Sequence, residues 1–469
     1  LNIIIKPIWI FFIDRNVQLA VGNESYGFYA ALLNFTIIFN IILDMGISNY
    51  NAKHLAQQQQ HFSLHFPNMF LAKVLLSLIY FSFLMIFLNI FNYSHHAITF
   101  VLVLGLIQFL NSLLTYFRSF ISAFLYLKTD AFFSILDKLI MILGCGFLLV
   151  FYTISIYDFI HIQLLAYFLS CLIAFLFIQF KIKKTAYLKI NFIDTKKIIL
   201  NSFPYAVLIF LMAIYMRSDT ILIERLLGHQ GAHSAGTYML AFRILDVANM
   251  FGFLFAGMLL PLFSKFIFQE KNITDLVESS SNLLLPISFA ISINGFFYGN
   301  EIMSFLYQQH TISNLGILYS LLLASFPAYC LIHIYSTLLT ANSNIKILIN
   351  ISLFGAFASL MLNYFLIPKY GYLGAAYTNL VVIWLVSILY VTFCFKKINL
   401  SISKITLLKY LFIIIIFILV NYFFKQAQFS VISSISASII IFIPLLYISK
   451  LWDVEKLKKY FNDFSVDRK

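Results

Sequence analysis

The stretch ITLLKYLFIIIIFILVNYFF, residues 405–424, decides the fold class of this chain. It contains a single charged residue, Lys409, and about 20 predominantly apolar residues are what a helix needs to cross the hydrocarbon core of a bilayer. Comparable stretches follow one another from end to end, joined by short connections. Fourteen transmembrane helices are predicted, at 3–21, 26–48, 68–91, 97–117, 131–152, 159–180, 198–217, 234–260, 281–303, 315–340, 345–367, 372–395, 405–424 and 430–450.

The composition excludes most soluble classes of protein. Of 469 residues, 62% are hydrophobic and 10% are charged, whereas soluble domains are about half apolar and about a quarter charged. A soluble enzyme, a disordered chain and a disulfide scaffold are therefore excluded, and the chain is predicted to be an all-α integral membrane protein. The four cysteines lie in apolar runs without C-x-x-C spacing, so we expect them to be small buried residues.

The net charge of +13 is interpreted as a signal of membrane topology and not of nucleic-acid binding. With a cytoplasmic N-terminus, the outside loops hold only Arg225, Lys369 and Lys425, while the other loop lysines and arginines lie inside. Cytoplasmic loops collect such residues, so both termini are predicted to be cytoplasmic. Twelve helices remain the alternative if one weak stretch lies in the interface.

The basic stretch KIKKTAYLKINFIDTKK divides the chain into two parts. Six helices precede it and eight follow, and the last segment carries apolar residues at helical spacing among lysines, as an amphipathic helix on the inner leaflet would. The predicted domains are an N-terminal six-helix lobe 1–180, a basic cytoplasmic linker 181–197, a C-terminal six-helix lobe 198–395, two additional helices 396–450 and a cytoplasmic amphipathic tail 451–469.

A short internal repeat relates the two lobes. GNESYGFY at 22–29 opens the second predicted helix, and AGTY at 235–238 opens the eighth. Each follows a helix that carries an arginine close to an aspartate: Asp14-Arg15 in the first and Arg217 with Asp219 in the seventh. Transporters built from repeats place the substrate site at the interface of those repeats.

Charged residues inside the apolar runs are the candidate functional residues, because a charge at the bilayer centre costs at least ~2.5 kcal/mol and normally faces a cavity or a partner. Arginine presents a planar fork of donors suited to phosphate oxygens, so a cationic cavity implies an anionic substrate such as a pyrophosphate. Lys6 and Lys73 are expected to extend to the membrane interface instead. The predicted cationic cavity residues are Arg15, Arg217, Arg243 and Lys138; the predicted cavity acids, which are candidates for ion coupling, are Asp14, Asp44, Asp137, Asp219 and Asp246.

Three stretches resemble polysaccharide transporters of the Wzx type, which flip undecaprenyl-pyrophosphate-linked oligosaccharides. They are IDRNVQLAVGNESYGFYAALLNF with ILDMGISNYN, MRSDTILIERLLG with AGTYMLAFRILD, and LNYFLIPKYGYLGAAYTNL. The superfamily of those transporters also contains lipid II flippases and multidrug and toxin extrusion antiporters. The resemblance extends over essentially the whole chain.

The resemblance implies two six-helix lobes in a V around a cationic central cavity, and transport by alternating access without bond-making. By position, Arg15 and Arg217 match cavity-lining basic residues of the family, with Arg243 and Lys138 as additions. The lipid II flippases carry an important arginine in the second helix, where this chain has Asp44. This difference argues against the peptidoglycan precursor as cargo.

The leading hypothesis is therefore a flippase in the bacterial inner membrane for the repeat unit of an O antigen, capsule or exopolysaccharide. Its partners are predicted to be the lipid-linked substrate, membrane lipids and other glycan-assembly proteins such as a polymerase; nucleic acid is not among them, and a monomer suffices. No cofactor is expected, since there is no Walker lysine loop, and a proton or sodium gradient is one source of energy. The alternatives are a cation-coupled drug exporter, for which carboxylates should dominate the cavity, and a glycan polymerase or acyltransferase, for which a large outside loop is expected.

Overall fold

Long apolar runs form helices in this chain because a backbone surrounded by hydrocarbon must satisfy its own N–H and C=O groups. The structure, a computed structural model, describes residues 2–45, 62–124, 126–182, 192–270, 272–307, 314–398, 400, 404–449 and 451. Within those ranges every regular element is helical, which confirms the predicted all-α class. The α-helices are α1 (Asn2–Ile8), α2 (Arg15–Val21), α3 (Asn23–Phe39), α4 (Ile41–Asp44), α5 (Phe62–Ile90), α6 (His95–Ala123), α7 (Leu127–Phe151), α8 (Ile156–Phe177), α9 (Phe192–Leu226), α10 (Gly231–Phe268), α11 (Thr274–Leu306), α12 (Leu315–Ala324), α13 (Phe326–Ala341), α14 (Ile345–Tyr370), α15 (Tyr372–Ile398), α16 (Lys404–Gln426) and α17 (Val431–Ile448).

Thirteen of the fourteen predicted spans correspond to long apolar helices of the structure. Thirteen helical stretches of the described residues are long and apolar enough to cross a membrane, and they correspond to the second to the fourteenth predicted stretch. The first predicted stretch forms α1 and α2, joined by a π-helical segment (Trp9–Asp14) that ends directly before Arg15. Such π-helical segments are rare and occur frequently at functional sites.

The tenth predicted stretch is broken at Ser325 into α12 and α13. Pro327 has no N–H to donate to the carbonyl of Leu323, and the Ser292 hydroxyl donates to that carbonyl at 2.6 Å instead. The indole N–H of Trp384 donates to the carbonyl of Ala324 at 3.0 Å. Neighbouring helices therefore satisfy the backbone groups that the break exposes, as membrane proteins require.

The chain forms two compact units, Leu1–Met239 and Leu240–Lys469, whose boundary lies within α10. In the first unit α3 packs along α9, and the buried side chains of α5, α6, α7 and α8 form a hydrophobic core. The predicted lobe boundaries stay a prediction. Most of the predicted linker, at 183–191, and the predicted tail from 452 onward lie outside the described residues; α9 already begins at Phe192.

Lys73 lies in a buried ion pair, so the expectation that it extends to the membrane interface is wrong. Its side chain is 1% exposed, and its Nζ lies 2.5 Å from Asp44 Oδ1 and 2.7 Å from Ser112 Oγ. The short helix α4 packs against α5 and ends at Asp44. The Asp44 carboxylate therefore lies close enough to pair with the Lys73 ammonium group. The lysine is neutralised inside the protein and does not have to extend to the membrane interface.

Helices α3 and α10 cross at two small residues, Gly27 and Gly236. A Cβ added to Gly27 would lie 1.9 Å from the carbonyl oxygen of Ala232, and one added to Gly236 would lie 1.9 Å from that of Asn23. The two backbones are thus in direct contact, which is how small residues serve helix packing in membranes. The glycines are those of the repeated GNESYGFY and AGTY stretches.

Gly236→Ala should destabilise the protein by about 1–3 kcal/mol, since the new methyl group must push two backbones apart. The measurement is thermal unfolding of the detergent-solubilised protein. Gly257→Ala on the same helix is the matched control, because nothing lies within 4 Å of its added Cβ, and it should leave the stability unchanged or raise it by up to about 1 kcal/mol. Equal melting temperatures for the two variants would contradict the crossing.

Asp44→Asn should destabilise more than Lys73→Met, because it leaves the deeply buried ammonium group without its counter-charge. Removal of one partner of a buried pair costs about 3–5 kcal/mol, whereas Asp44 is 25% exposed and water compensates it in part when Lys73 is replaced. The double variant should recover part of the loss. Asp130→Asn is the control, since its partner Arg118 is 30% exposed and the pair is worth about 1 kcal/mol or less; the reverse order of the single variants would contradict the pair.

Candidate functional site

The irregular first helix places Asp14 and Arg15 at the junction of its π-helical segment and α2. The Tyr26 hydroxyl of α3 donates to both carboxylate oxygens of Asp14, at 2.8 and 2.9 Å. Arg15 is half-buried, and its Nη1 donates to the side chain of Asn16 at 3.3 Å. The tyrosine therefore fixes the orientation of a carboxylate that directly precedes a guanidinium group in the chain.

The second copy of the repeat has a corresponding tyrosine–aspartate hydrogen bond between α9 and α10. Asp219 is buried and accepts a hydrogen bond of 2.7 Å from the Tyr238 hydroxyl, while Arg217 is half-buried on the same helix. In both copies an aspartate that lies within two residues of an arginine in the chain is held by a tyrosine from the first turns of the next long helix. The sequence repeat thus corresponds to a repeated hydrogen bond, which the sequence alone did not predict.

Helices α2, α3, α9 and α10 meet in the first compact unit. The Gln18 side chain donates to the carbonyl of Gly236 at 2.8 Å, which joins α2 to α10. The Asn34 amide donates to Thr220 Oγ1 at 2.7 Å, which joins α3 to α9. Helices α2 and α9, which carry Arg15 and Arg217, are therefore connected through α3, since Gln18 also donates to the Asn23 side chain of α3 at 3.0 Å.

A cluster of Tyr93, Glu224 and Arg225 joins the end of α5 to the end of α9. The Tyr93 hydroxyl donates to Glu224 at 3.2 Å, and the Arg225 guanidinium lies 3.1 Å from the centre of the Tyr93 ring. Burial raises the pKa of Tyr93 above its ordinary value, as does the charge of Glu224. In the predicted topology these ends face the outside. Sequence reasoning noted the two charges as loop residues but did not detect the tyrosine that joins them.

Three other predicted residues of this unit have their own partners. Lys138 contacts the carboxylate of the preceding Asp137, and it also donates to the Tyr167 hydroxyl at 3.2 Å. Asp44 pairs with Lys73, as described above. The structure therefore shows Lys138, Asp137 and Asp44 in local pairs, and their assignment to a cavity stays a prediction.

The remaining predicted residues, Arg243 and Asp246, lie one turn apart on the part of α10 that belongs to the second unit. Arg243 is 3% exposed and Asp246 is half-buried. One turn further, Asn249 contacts the ring Nε2 of His333 at 3.3 Å. In the described part of the chain, no three His, Cys, Asp or Glu side chains are grouped as a metal site requires. All four cysteines are buried, which confirms their predicted burial.

Comparison with known proteins identifies a family. The model of a family described as "Polysaccharide biosynthesis protein" matches residues 16–267. The matched range contains Arg217, Arg243 and both glycines of the α3–α10 crossing, and it begins directly after Arg15. A search of curated proteins gives no match.

Solved structures of membrane transporters share the fold. A structure described as "Lipid II flippase MurJ, inward closed conformation" has a TM-score of 0.69 and 18% identity, over 94% of this chain and 95% of that one. An inward-facing multidrug resistance MATE family transporter of the MOP superfamily has a TM-score of 0.63 and 12% identity, over 83% and 94%. A MOP superfamily transporter from Pyrococcus furiosus has a TM-score of 0.56 and 14% identity, over 84% and 96%.

These neighbours support the predicted architecture of a multi-pass membrane transporter, and at such identities they show the fold alone. The family match covers more than half of the sequence. The chain therefore belongs to the polysaccharide biosynthesis protein family and has the fold of MOP superfamily transporters.

Proposed function

We propose that this protein is a flippase that moves undecaprenyl-pyrophosphate-linked oligosaccharide from the cytoplasmic to the outer face of a bacterial inner membrane. The repeat unit is that of an O antigen, capsule or exopolysaccharide, and both termini are cytoplasmic. The observation that carries the proposal is the repeated pair of an arginine and a tyrosine-held aspartate, Arg15 with Asp14 and Arg217 with Asp219, in a member of a polysaccharide biosynthesis family.

In this proposal Arg15 and Arg217 hold the pyrophosphate. Both are half-buried, so a substrate can reach them without complete rearrangement of their surroundings. Guanidinium groups bind phosphate oxygens through paired hydrogen bonds, and the tyrosines keep the adjacent carboxylates in place while the site is empty. Arg243 and Lys138 are assigned auxiliary roles, because the first is buried and the second already contacts Asp137 and Tyr167.

Transport by alternating access requires the outer ends of the helices to separate when the substrate is released. Two contacts at the predicted outer face oppose that separation: the bond from Gln18 to Gly236 and the cluster of Tyr93 with Glu224. Coupling to a proton or sodium gradient would supply about 2.3 kcal/mol per charge for each 100 mV. Asp14 and Asp219 are the proposed coupling groups.

Arg15→Ala and Arg217→Ala should each reduce export of surface glycan by at least about tenfold, because each removes charged hydrogen bonds worth about 1.5–3 kcal/mol apiece. The measurement is complementation of a deletion strain, with surface glycan and lipid-linked intermediates quantified and protein levels checked by immunoblot. Arg118→Ala is the matched control, since that arginine pairs with Asp130 at the predicted cytoplasmic ends of α6 and α7.

The same experiment separates the three functions. Accumulated lipid-linked oligosaccharide on the inner leaflet, with surface glycan missing, supports the flippase and identifies its cargo. Normal glycan with altered drug tolerance in the deletion strain would indicate an exporter, and single unpolymerised units at the surface would indicate a polymerase. Near wild-type glycan in both arginine variants would contradict the proposed site.

A covalent link between the outer ends of α5 and α9 should block transport. In a Tyr93→Cys/Glu224→Cys variant, a cleavable thiol-specific linker long enough to span the former hydrogen bond should reduce transport to background, and reduction should restore it. The four native cysteines are buried, and each single-cysteine variant treated with the reagent serves as a control. Full transport by the linked protein would show that these ends need not separate.

A further inference from the structure

A cavity of about 500 Å³ lies within the second compact unit, among helices α11, α13, α15 and α16. Its wall is almost entirely apolar along most of its length, with Leu285, Phe289, Leu331 and Trp384 among its lining. This volume falls in the range of pockets that bind small molecules. None of the arginines or aspartates assigned to transport lines it.

The polar groups of the cavity are collected at one end. Glu278 lies there and accepts a hydrogen bond from the Thr406 hydroxyl of α16. One turn away, the Tyr410 hydroxyl donates to Asn282 at 2.5 Å, and Ser281 adds a buried hydroxyl. Glu278 is the one charged residue of the lining, and no Lys, Arg or His among the described side chains forms an ion pair with it. Among the described side chains, this end of the cavity therefore has a carboxylate without an ion-pair partner, next to an apolar chamber.

The polar end faces the predicted cytoplasmic side on all four helices. Glu278 and Thr406 lie in the first turns of α11 and α16, which are predicted to start inside, and Tyr335 and Thr392 lie toward the ends of α13 and α15, which are predicted to finish there. From Glu278 to Phe289 the helix rises about 16 Å, at about 1.5 Å per residue. That length is about half of the ~30 Å hydrocarbon core, which is the depth of one leaflet.

The cavity opens at the apolar surface of the unit. Ile388 of α15 and Leu411 of α16 line it and are 50% and 57% exposed. In a bilayer such a surface contacts acyl chains, so a lipid can enter sideways from the inner leaflet. An amphiphile one leaflet long, with a positively charged head, matches both the shape and the charge.

We propose that this cavity binds an aminophospholipid of the inner leaflet, with an acyl chain along Leu285 and Phe289 and the ammonium group of the head at Glu278. A charged carboxylate in a membrane normally has a counter-charge, which the ammonium group supplies. The lipid-linked pyrophosphate of the proposed substrate is disfavoured here, since its negative charges would meet Glu278 without an arginine in the lining. The assignment does not rest on the proposed transport function.

Native mass spectrometry of the full-length protein in mild detergent tests the assignment, with phosphatidylethanolamine or phosphatidylglycerol added as the probe. The wild type should bind one phosphatidylethanolamine in preference to phosphatidylglycerol. Glu278→Gln should weaken that binding by about tenfold, which corresponds to about 1.4 kcal/mol, and Leu285→Trp should weaken it by narrowing the chamber where the acyl chain lies. Glu301→Gln is the matched control, because Glu301 is an exposed carboxylate near the other end of the same helix.

Each other outcome overturns the assignment. Equal binding of the two lipids, or equal binding by the wild type and Glu278→Gln, would remove the role of the carboxylate. Unchanged binding by Leu285→Trp, in a variant whose elution profile shows it folded, would place the lipid elsewhere. Displacement of the bound phosphatidylethanolamine by undecaprenyl phosphate would assign the cavity to the lipid of the substrate. None of these measurements involves glycan export, so they fail or succeed independently of the flippase proposal.

Discussion

A charged side chain within a bilayer must find a partner inside the protein, and this requirement determines how the helices of this chain are tied together. Lys73 is bound to Asp44 and Ser112, so α4, α5 and α6 are joined by one ammonium group. Asp14 and Asp219 are each held by a tyrosine of the following helix. Because water is not available in hydrocarbon to replace a lost partner, these contacts contribute to the specificity of packing as well as to its stability.

The close contact between α3 and α10 does more than stabilise the protein. Gly27 and Gly236 allow α3 and α10 to touch through their backbones. Near this contact, Tyr26 of α3 bonds to Asp14 at the end of the π-helical segment, and Tyr238 of α10 bonds to Asp219 of α9. Because an added Cβ at either glycine would meet the facing backbone, we expect larger residues there to move the tyrosines away from those carboxylates. The small residues and the Asp–Tyr pairs are therefore parts of one arrangement, and the repeat in the sequence preserves both.

Much of the fold could be predicted from the sequence, because a continuous run of about 20 apolar residues indicates a membrane-spanning helix. The contacts between helices could not be predicted, since no local sequence pattern encodes them. Lys73 and Asp44 are 29 residues apart in the sequence, and Tyr93 and Glu224 are 131 residues apart. The repeated stretches contain Tyr26 and Tyr238, but the sequence did not show that these tyrosines bond to Asp14 and Asp219. The break at Ser325 was also missed, although Pro327 signals it, because the stretch is uniformly apolar. The cavity at Glu278 combines four helices, none of which shows it alone.

The two proposed binding regions differ in the sign of their charge, and from this difference we expect them to prefer two different kinds of lipid in one membrane. A polyprenyl pyrophosphate carries net negative charge at its head and should prefer the guanidinium groups of Arg15 and Arg217. The zwitterionic head of an aminophospholipid offers an ammonium group, for which the carboxylate of Glu278 is complementary. Both ligands have long apolar chains, which an apolar groove binds without distinguishing one from the other. Selectivity between the two lipids must therefore come from their head groups. The two arginines of the one region and the carboxylate of the other would provide it, because electrostatic interactions are strongest where water is excluded.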